Sequence, residues 1–456
     1  MLKSTAAPQD QPPLLFTFCA NGGASIVDSF LPVQRTATND DVNSYEAALL
    51  DGIDQSPIRC VKNIDYAIKL PVGSSFTMKE FLRRHARDML VLTQQGTSVN
   101  HLIAAKRSLT GNGINQGRTL GEAYSARYGD QFLLPHINMA IGGYAEPGYD
   151  TELPDKARQE VVVDANLFSL STHGSRAIAQ APSANVMAEA RQTRRQLESE
   201  WAEHSVVGGS AMVQQFRRLR QKVVDLEQAN LFEALFLLDR SRLGELQGLP
   251  TVEDNPELEK IKAVFPDVFV NPFKAKVALA YLLVRTGVSG TVTLSMSDSL
   301  LFDGQEPPQT IQNLPLGFDW SHHDHRGAQN SMWRIMLEAM SGLIQLLKQA
   351  PSGQGRSLWD RSLIYVATEF GRTRSRKNGS GHDLNNGNLL VSPMLKGNQV
   401  LGAVDSASLK TQGFDPRTGV TDGRPPMDEG DLYSLICEAL TVPFEGRRSF
   451  PIAIRS

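Results

Sequence analysis

Cysteine is scarce: three in 456 residues, Cys19, Cys60 and Cys437, far apart and in no ligand spacing. That argues against a disulfide framework and a thiolate metal site, and leaves three small, buried apolar residues. No apolar run approaches the length of a membrane span, so none is expected. Charge of one sign is missing too. With 46 Lys+Arg against 49 Asp+Glu the formal net charge is −3, without the basic surplus of a nucleic-acid binder, and no nucleic-acid partner is expected. Repeats and low-complexity tracts are absent. The 41% hydrophobic and 21% charged residues exclude disordered and collagen-like chains. Residues 1–13 (MLKSTAAPQDQPP) lack the apolar core of a secretory signal and read as an N-terminal extension. The expected location is cytoplasmic as written, or periplasmic or secreted if a leader has been removed.

What is present alternates between strand and helix. Leu14–Cys19 is a short apolar run that reads as a buried first strand. It breaks at Asn21-Gly22-Gly23, where glycine lets the backbone approach a ligand. Met78–Ala86 reads as a helix, Met89–Thr93 as a strand, Ser98–Leu109 as a helix and Phe132–Met139 as a strand. Residues 150–260 change character. Asn185–His204 and Ser210–Leu238 read as long charged helices, an inserted helical cap. Strand and helix then return: helix Pro272–Arg285, strand Gly290–Ser295, helix Asn330–Gln349, strand Leu363–Ala367, a late strand pair (Leu389–Leu395, Val400–Val404) and a closing helix, Asp431–Leu440. The pattern predicts one doubly wound, mostly parallel α/β sheet between helices over residues 14–456.

Three clusters could carry chemistry at the carboxyl ends of such strands. Phe318–His325 holds Asp319, His322, His323, Asp324 and His325. Asp319 and His323, four apart, would share a helix face and suit zinc or manganese. The alternative is a solvated His-rich loop. A second cluster follows the strongest strand: Glu369, a carboxylate costly to bury alone, then Arg372, a planar fork for an oxyanion, then His382 and Asp383. Here the plainer alternative is a Glu–Arg ion pair. The third, Gly96–His101, offers Thr97 and Ser98 at a helix start with His101 one turn on. A hydroxyl there would cap the helix or serve as a nucleophile. Asp28 is a further candidate ligand, or an ordinary acid at a helix start.

Taken in order, the pieces resemble the domain of unknown function 1501 family, bacterial members of the alkaline phosphatase/sulfatase superfamily. The opening Asn21–Phe30 resembles that family's Gly-Gly-x-Ser-x-x-Asp-x-Phe. Asn100-His101 with Leu109-Thr110-Gly111 is similar to its Asn-His…Leu-Thr-Gly segment. Glu369–Thr373 with Asn378 and Gly381–Asp383 is the most specific match, and Lys396–Gly402 resembles its glycine-rich strand pair. The resemblance spans about residues 14–445. It implies an alkaline phosphatase-like fold and a metal-dependent hydrolase of small phosphate or sulfate esters with a two-metal site. The metals would be zinc, with manganese or calcium as alternatives. Asp319 and His323 would serve one metal, with a last-loop histidine; Glu369 and a first-loop acid such as Asp28 would hold the second. A Thr or Ser at the helix start would attack, with Arg372 on the equatorial oxygens. His325 joins the candidate ligands.

Three positions depart from that pattern. The last loop reads Gly381-His382-Asp383-Leu384 where the family has Gly-x-Asp-His, so His382 must substitute. Asn21 stands where active superfamily members carry a metal-binding Asp. Counting back from Leu109-Thr110-Gly111, the nucleophile position falls on His101. The departures motivate a rival: a catalytically altered member that binds a ligand, a second copy or a protein partner through the helical cap.

Overall fold

The computed structural model describes residues 11–39, 43–62, 74–171, 182–210, 213, 217, 231–237, 255–296, 317–373 and 379–455. By its packing the chain forms two compact units, residues 1–163 with 260–456, and residues 164–259.

The first unit is built on an eight-stranded sheet. Its strands are β1 (Leu14–Ala20), β2 (Met89–Gln95), β3 (His136–Met139), β4 (Glu160–Val161), β5 (Thr291–Ser295), β6 (Ser362–Thr368), β7 (Asn385–Val391) and β8 (Gln399–Leu401), in spatial order β8-β2-β7-β6-β1-β5-β3-β4. Every residue of β1, β5 and β6 is buried. Strands covered on both faces have no polar side to show, which is why they read as near-continuous apolar runs. β1 pairs in parallel with β6 from Leu14↔Ser362 to Ala20↔Thr368 and with β5 from Leu15↔Thr291 to Cys19↔Ser295. Only β7 runs backward, antiparallel to β2 along seven pairs and to β6 at two.

Helices cover both faces. On one side Leu15, Cys19, Leu363 and Tyr365 pack with Leu109 of α2 (His101–Thr110; α1 is Met78–His85), Tyr124 of α3 (Leu120–Tyr128) and Leu432 and Leu435 of α7 (Glu429–Ala439). On the other, Phe18 meets Phe273 of α5 (Pro272–Arg285) edge to face at 6.2 Å, and α5 packs on α6 (His325–Gln349). A further long helix, α4 (Ala184–His204), belongs to the second unit and is capped by Ser183. The fold is α/β, a large, mostly parallel sheet flanked by helices.

Several expected elements shift in detail. Helix α6 starts five residues before the expected Asn330, because Asp324 caps it, accepting the Gly327 amide at 3.0 Å. The expected late strand pair is no pair: β7 and β8 lie on opposite sides of β2. Residues 150–163, expected in the insertion, belong to the first unit, where β4 pairs with β3. Most of the expected helix Ser210–Leu238 lies outside the described residues, as does Asn378. Among the described residues no helix is long and apolar enough to cross a membrane.

Strand direction positions the site. With β1, β2, β5 and β6 parallel, the loops after Ala20, Gln95, Ser295 and Thr368 emerge at one edge. β7 begins at that same edge, since Asn385 pairs with Gln95, so the hairpin Gly371–Arg372/His382–Asp383 that feeds it lies there too.

Candidate metal centre

His101 is the first residue of α2. Asn100 caps the helix, accepting the Ile103 amide at 3.2 Å, so the helix starts three residues after Ser98. The His101 ring is bonded on one side and open on the other. Nδ1 lies 2.6 Å from Glu369 Oε2, just past the end of β6, and Nε2 lies 3.6 Å from Asp319 Oδ1. His382, on the hairpin, repeats the arrangement: Nδ1 is 2.9 Å from the Val99 carbonyl and Nε2 is 3.7 Å from the same Asp319 oxygen. The donor atoms of His101, Asp319 and His382 all lie within 4.8 Å of one another. His322 joins them, its Nε2 3.2 Å from Asp319 Oδ1 and 2.9 Å from His382 Nε2. Phe370 stacks on His382 with ring centroids 4.0 Å apart, closing the cluster from one side.

Asp319 is buried, and Arg372 Nη2 donates at 3.2 Å to the same Oδ1 that the imidazoles face. The guanidinium also donates to the backbone carbonyls of Gly22, Gly23 and Phe318, and among the described residues Nη1 has no partner. Burial pushes Arg372 down to about 10 against the pull of Asp319 and Glu369. Burial would raise Asp319, but the bond from His382 and the charges of Arg372, His101 and His322 outweigh it and hold the carboxyl below its ordinary range. The bond to Glu369 raises His101, outweighing partial burial. Burial and the charge of Arg372 lower His322.

The remaining candidates sit elsewhere. His323 is exposed: Phe318–His322 is a 3₁₀ helix, in which residues three apart eclipse, so His322 rather than His323 comes to Asp319. Thr97 bonds through its hydroxyl to Glu429 Oε1 (2.9 Å) and Arg107 (3.0 Å). Ser98 Oγ accepts the Asn100 amide at 3.2 Å, in the turn before the helix rather than at its cap. Asp383 accepts both the backbone and side-chain nitrogens of Asn385. Asp28 and His325 face each other at 2.9 Å, fully buried, and Tyr45 donates to the second Asp28 oxygen at 2.6 Å. Burial raises Asp28, yet His325 and these hydrogen bonds bring it below its usual range. Glu369 touches the group through His101 alone among the three clustered donors. Sequence reasoning passed over His322, whose signal was the same loop read at a period of three instead of four.

The donor set suits a borderline cation. Two imidazole nitrogens and a carboxylate oxygen, with a third imidazole beside them, match zinc chemistry. His101 and His382 each have Nδ1 fixed, by a carboxylate and a carbonyl, which turns Nε2 toward Asp319, the usual arrangement behind a metal-binding imidazole, although His382 Nε2 also meets His322 Nε2. No family model matches the chain, and no curated protein matches it.

Proposed function

We propose that the protein is a metal-dependent hydrolase of small phosphate or sulfate esters on an alkaline phosphatase-like fold, using one divalent ion, zinc before manganese or calcium. His101, Asp319 and His382 would hold the ion, with His322 at hand. The observation that carries this reading is the convergence of two Nε2 atoms on one carboxylate oxygen while Glu369 and the Val99 carbonyl fix the opposite ring nitrogens. The resemblance to the domain of unknown function 1501 family supports the ester class.

A divalent ion there would supply charge to polarise an ester oxygen. The side chains do the rest. Glu369 orients His101 and raises its proton affinity. Arg372, tied to three carbonyls, fixes Asp319 as an anion instead of reaching for substrate. An imidazole occupies the expected nucleophile position, and the neighbouring hydroxyls of Thr97 and Ser98 are engaged. That favours attack by water over a covalent hydroxyl intermediate, and one ion over two.

The test is zinc titration of the purified chain by calorimetry, with hydrolysis of p-nitrophenyl phosphate and sulfate followed in parallel. His101→Ala and Asp319→Asn are expected to lower zinc affinity by about 100-fold or more, since each removes a direct ligand. Unchanged zinc binding and unchanged hydrolysis in Asp319→Asn would overturn the reading. The engaged hydroxyls and guanidinium favour a second one, a metal-dependent binding protein without turnover. Zinc binding without hydrolysis of either ester would decide for it.

A further inference from the structure

A second polar chain shares no residue with the cluster. Tyr45 donates to Asp28 Oδ1 at 2.6 Å, Asp28 Oδ2 faces His325 Nε2 at 2.9 Å, and His325 Nδ1 meets Ser380 Oγ at 2.7 Å. The order of groups, carboxylate, imidazole, hydroxyl, is that of a hydrolytic triad. Burial forbids that use: His325 and Ser380 are 0% exposed and Asp28 1%, so no ester carbon, phosphorus or sulfur can reach the hydroxyl. The chain joins four segments: the loop after β1, the short strand Ser44–Tyr45, the start of α6, and the loop leading to His382.

Its far end carries the centre. The Ser380 amide donates to the Ser321 carbonyl at 2.7 Å, next to His322, and Ser380 lies two residues before His382. Gly379 packs so closely on the His322 carbonyl that a Cβ there would overlap it. From the other side Gln329, also buried, bonds Ser321 Oγ (2.9 Å), the Gly23 carbonyl (3.1 Å) and the Ser25 amide (2.8 Å). The two loops that bring His322 and His382 to Asp319 are thus fixed to each other and to the first loop through buried hydrogen bonds.

We propose that Asp28, His325 and Ser380 are positioning residues: a buried clamp that sets the separation of the His382 and Asp319 donor atoms, and so the affinity of the centre for zinc. This rests on the metal reading above. A carboxylate buried this deep against an imidazole is expensive to form and costlier to half-remove, so the contact is weak as a source of stability but suited to fixing one arrangement of loops. Supporting partners of this kind alter metal affinity by about 10–100-fold when removed.

The experiment uses the full chain with zinc and, separately, cobalt(II), whose visible spectrum reports ligand geometry. Ser380→Ala deletes one oxygen atom, and Asp28→Asn keeps the volume while removing the charge. Both are expected to remain cooperatively folded by thermal unfolding, to bind zinc 10–100-fold more weakly than wild type and to shift the cobalt spectrum. Ser380→Thr, which restores the hydroxyl, is expected to recover the wild-type spectrum, which a merely structural role would not require. Should Asp28→Asn fail to fold, Ser380→Ala decides. Zinc affinity and cobalt spectrum unchanged in a folded Ser380→Ala would overturn the clamp and leave the metal reading intact. No zinc or cobalt binding by the wild type would overturn both.

Discussion

Two histidines far from the cluster show how much a residue's surroundings outweigh its type. His136, in β3, is fully buried, neither ring nitrogen has a partner among the described residues, and burial pushes it down to about 4. His85, at the end of α1, meets Ser341 at 2.9 Å and is pushed down to about 3, by burial first and then by Lys348 and Arg84. Both stay neutral in the fold at pH values where an unfolded chain takes up protons. Since the folded values lie below the ordinary 6.5, stability is full above pH 6.5 and declines as pH falls, levelling off once the folded groups titrate. His136→Leu removes one such group. At pH 4 it is expected to retain on the order of 3 kcal/mol more of its pH 8 stability than wild type does. Urea unfolding across pH 8 to 4 measures this, and equal slopes would rule His136 out. Neither imidazole could be told from a ligand in the sequence: burial and partners come from residues hundreds of positions away. The same holds for Arg372, where the sequence offered a fork for an oxyanion and the fold supplied backbone carbonyls.

At the scale of elements, the candidate centre depends on loops that touch through bare backbone. Gly22 adopts φ +86°, and a Cβ there would overlap the backbone and side chain of Asp319. Gly22→Ala would strain a left-handed residue and push Asp319 away from the imidazoles. The expected result is a loss of about 1–3 kcal/mol in stability with a fall in zinc affinity, read by denaturant midpoint and calorimetry. An alanine variant with wild-type values in both would show that the loops yield. The glycine pair was legible in the sequence as a close approach, but not what it approached. Elements packed on both faces were the most readable, as β1, β6 and α5 show, because apolar runs there have no polar alternative. Pairing was not, as β7 and β8 show, because register across a sheet leaves no local mark. The start of α2 moved by three residues because serine and asparagine are near-equal caps, and only the fold chose between them.

For the whole molecule, the alternation of strand and helix announced the α/β class, while the division into units needed coordinates. Among the described residues no strand of the sheet lies within 164–259, and none of His101, Asp319, His322, Glu369, Arg372 and His382 does. Replacing that unit with a flexible Gly/Ser linker of about 20 residues is therefore expected to leave a cooperatively folding protein with zinc affinity within a few-fold of wild type. Loss of the cooperative transition would show that the sheet depends on the second unit. The order of the strands also has a consequence in time. β1 lies at the middle of the sheet, yet its two neighbours are β5 and β6, whose first residues are Thr291 and Ser362. At ordinary rates of protein synthesis, on the order of tens of seconds separate its appearance from theirs. For that interval Leu-Leu-Phe-Thr-Phe-Cys-Ala has neither of its native neighbours to lie beside, which leaves an apolar strand with two open edges on the growing chain.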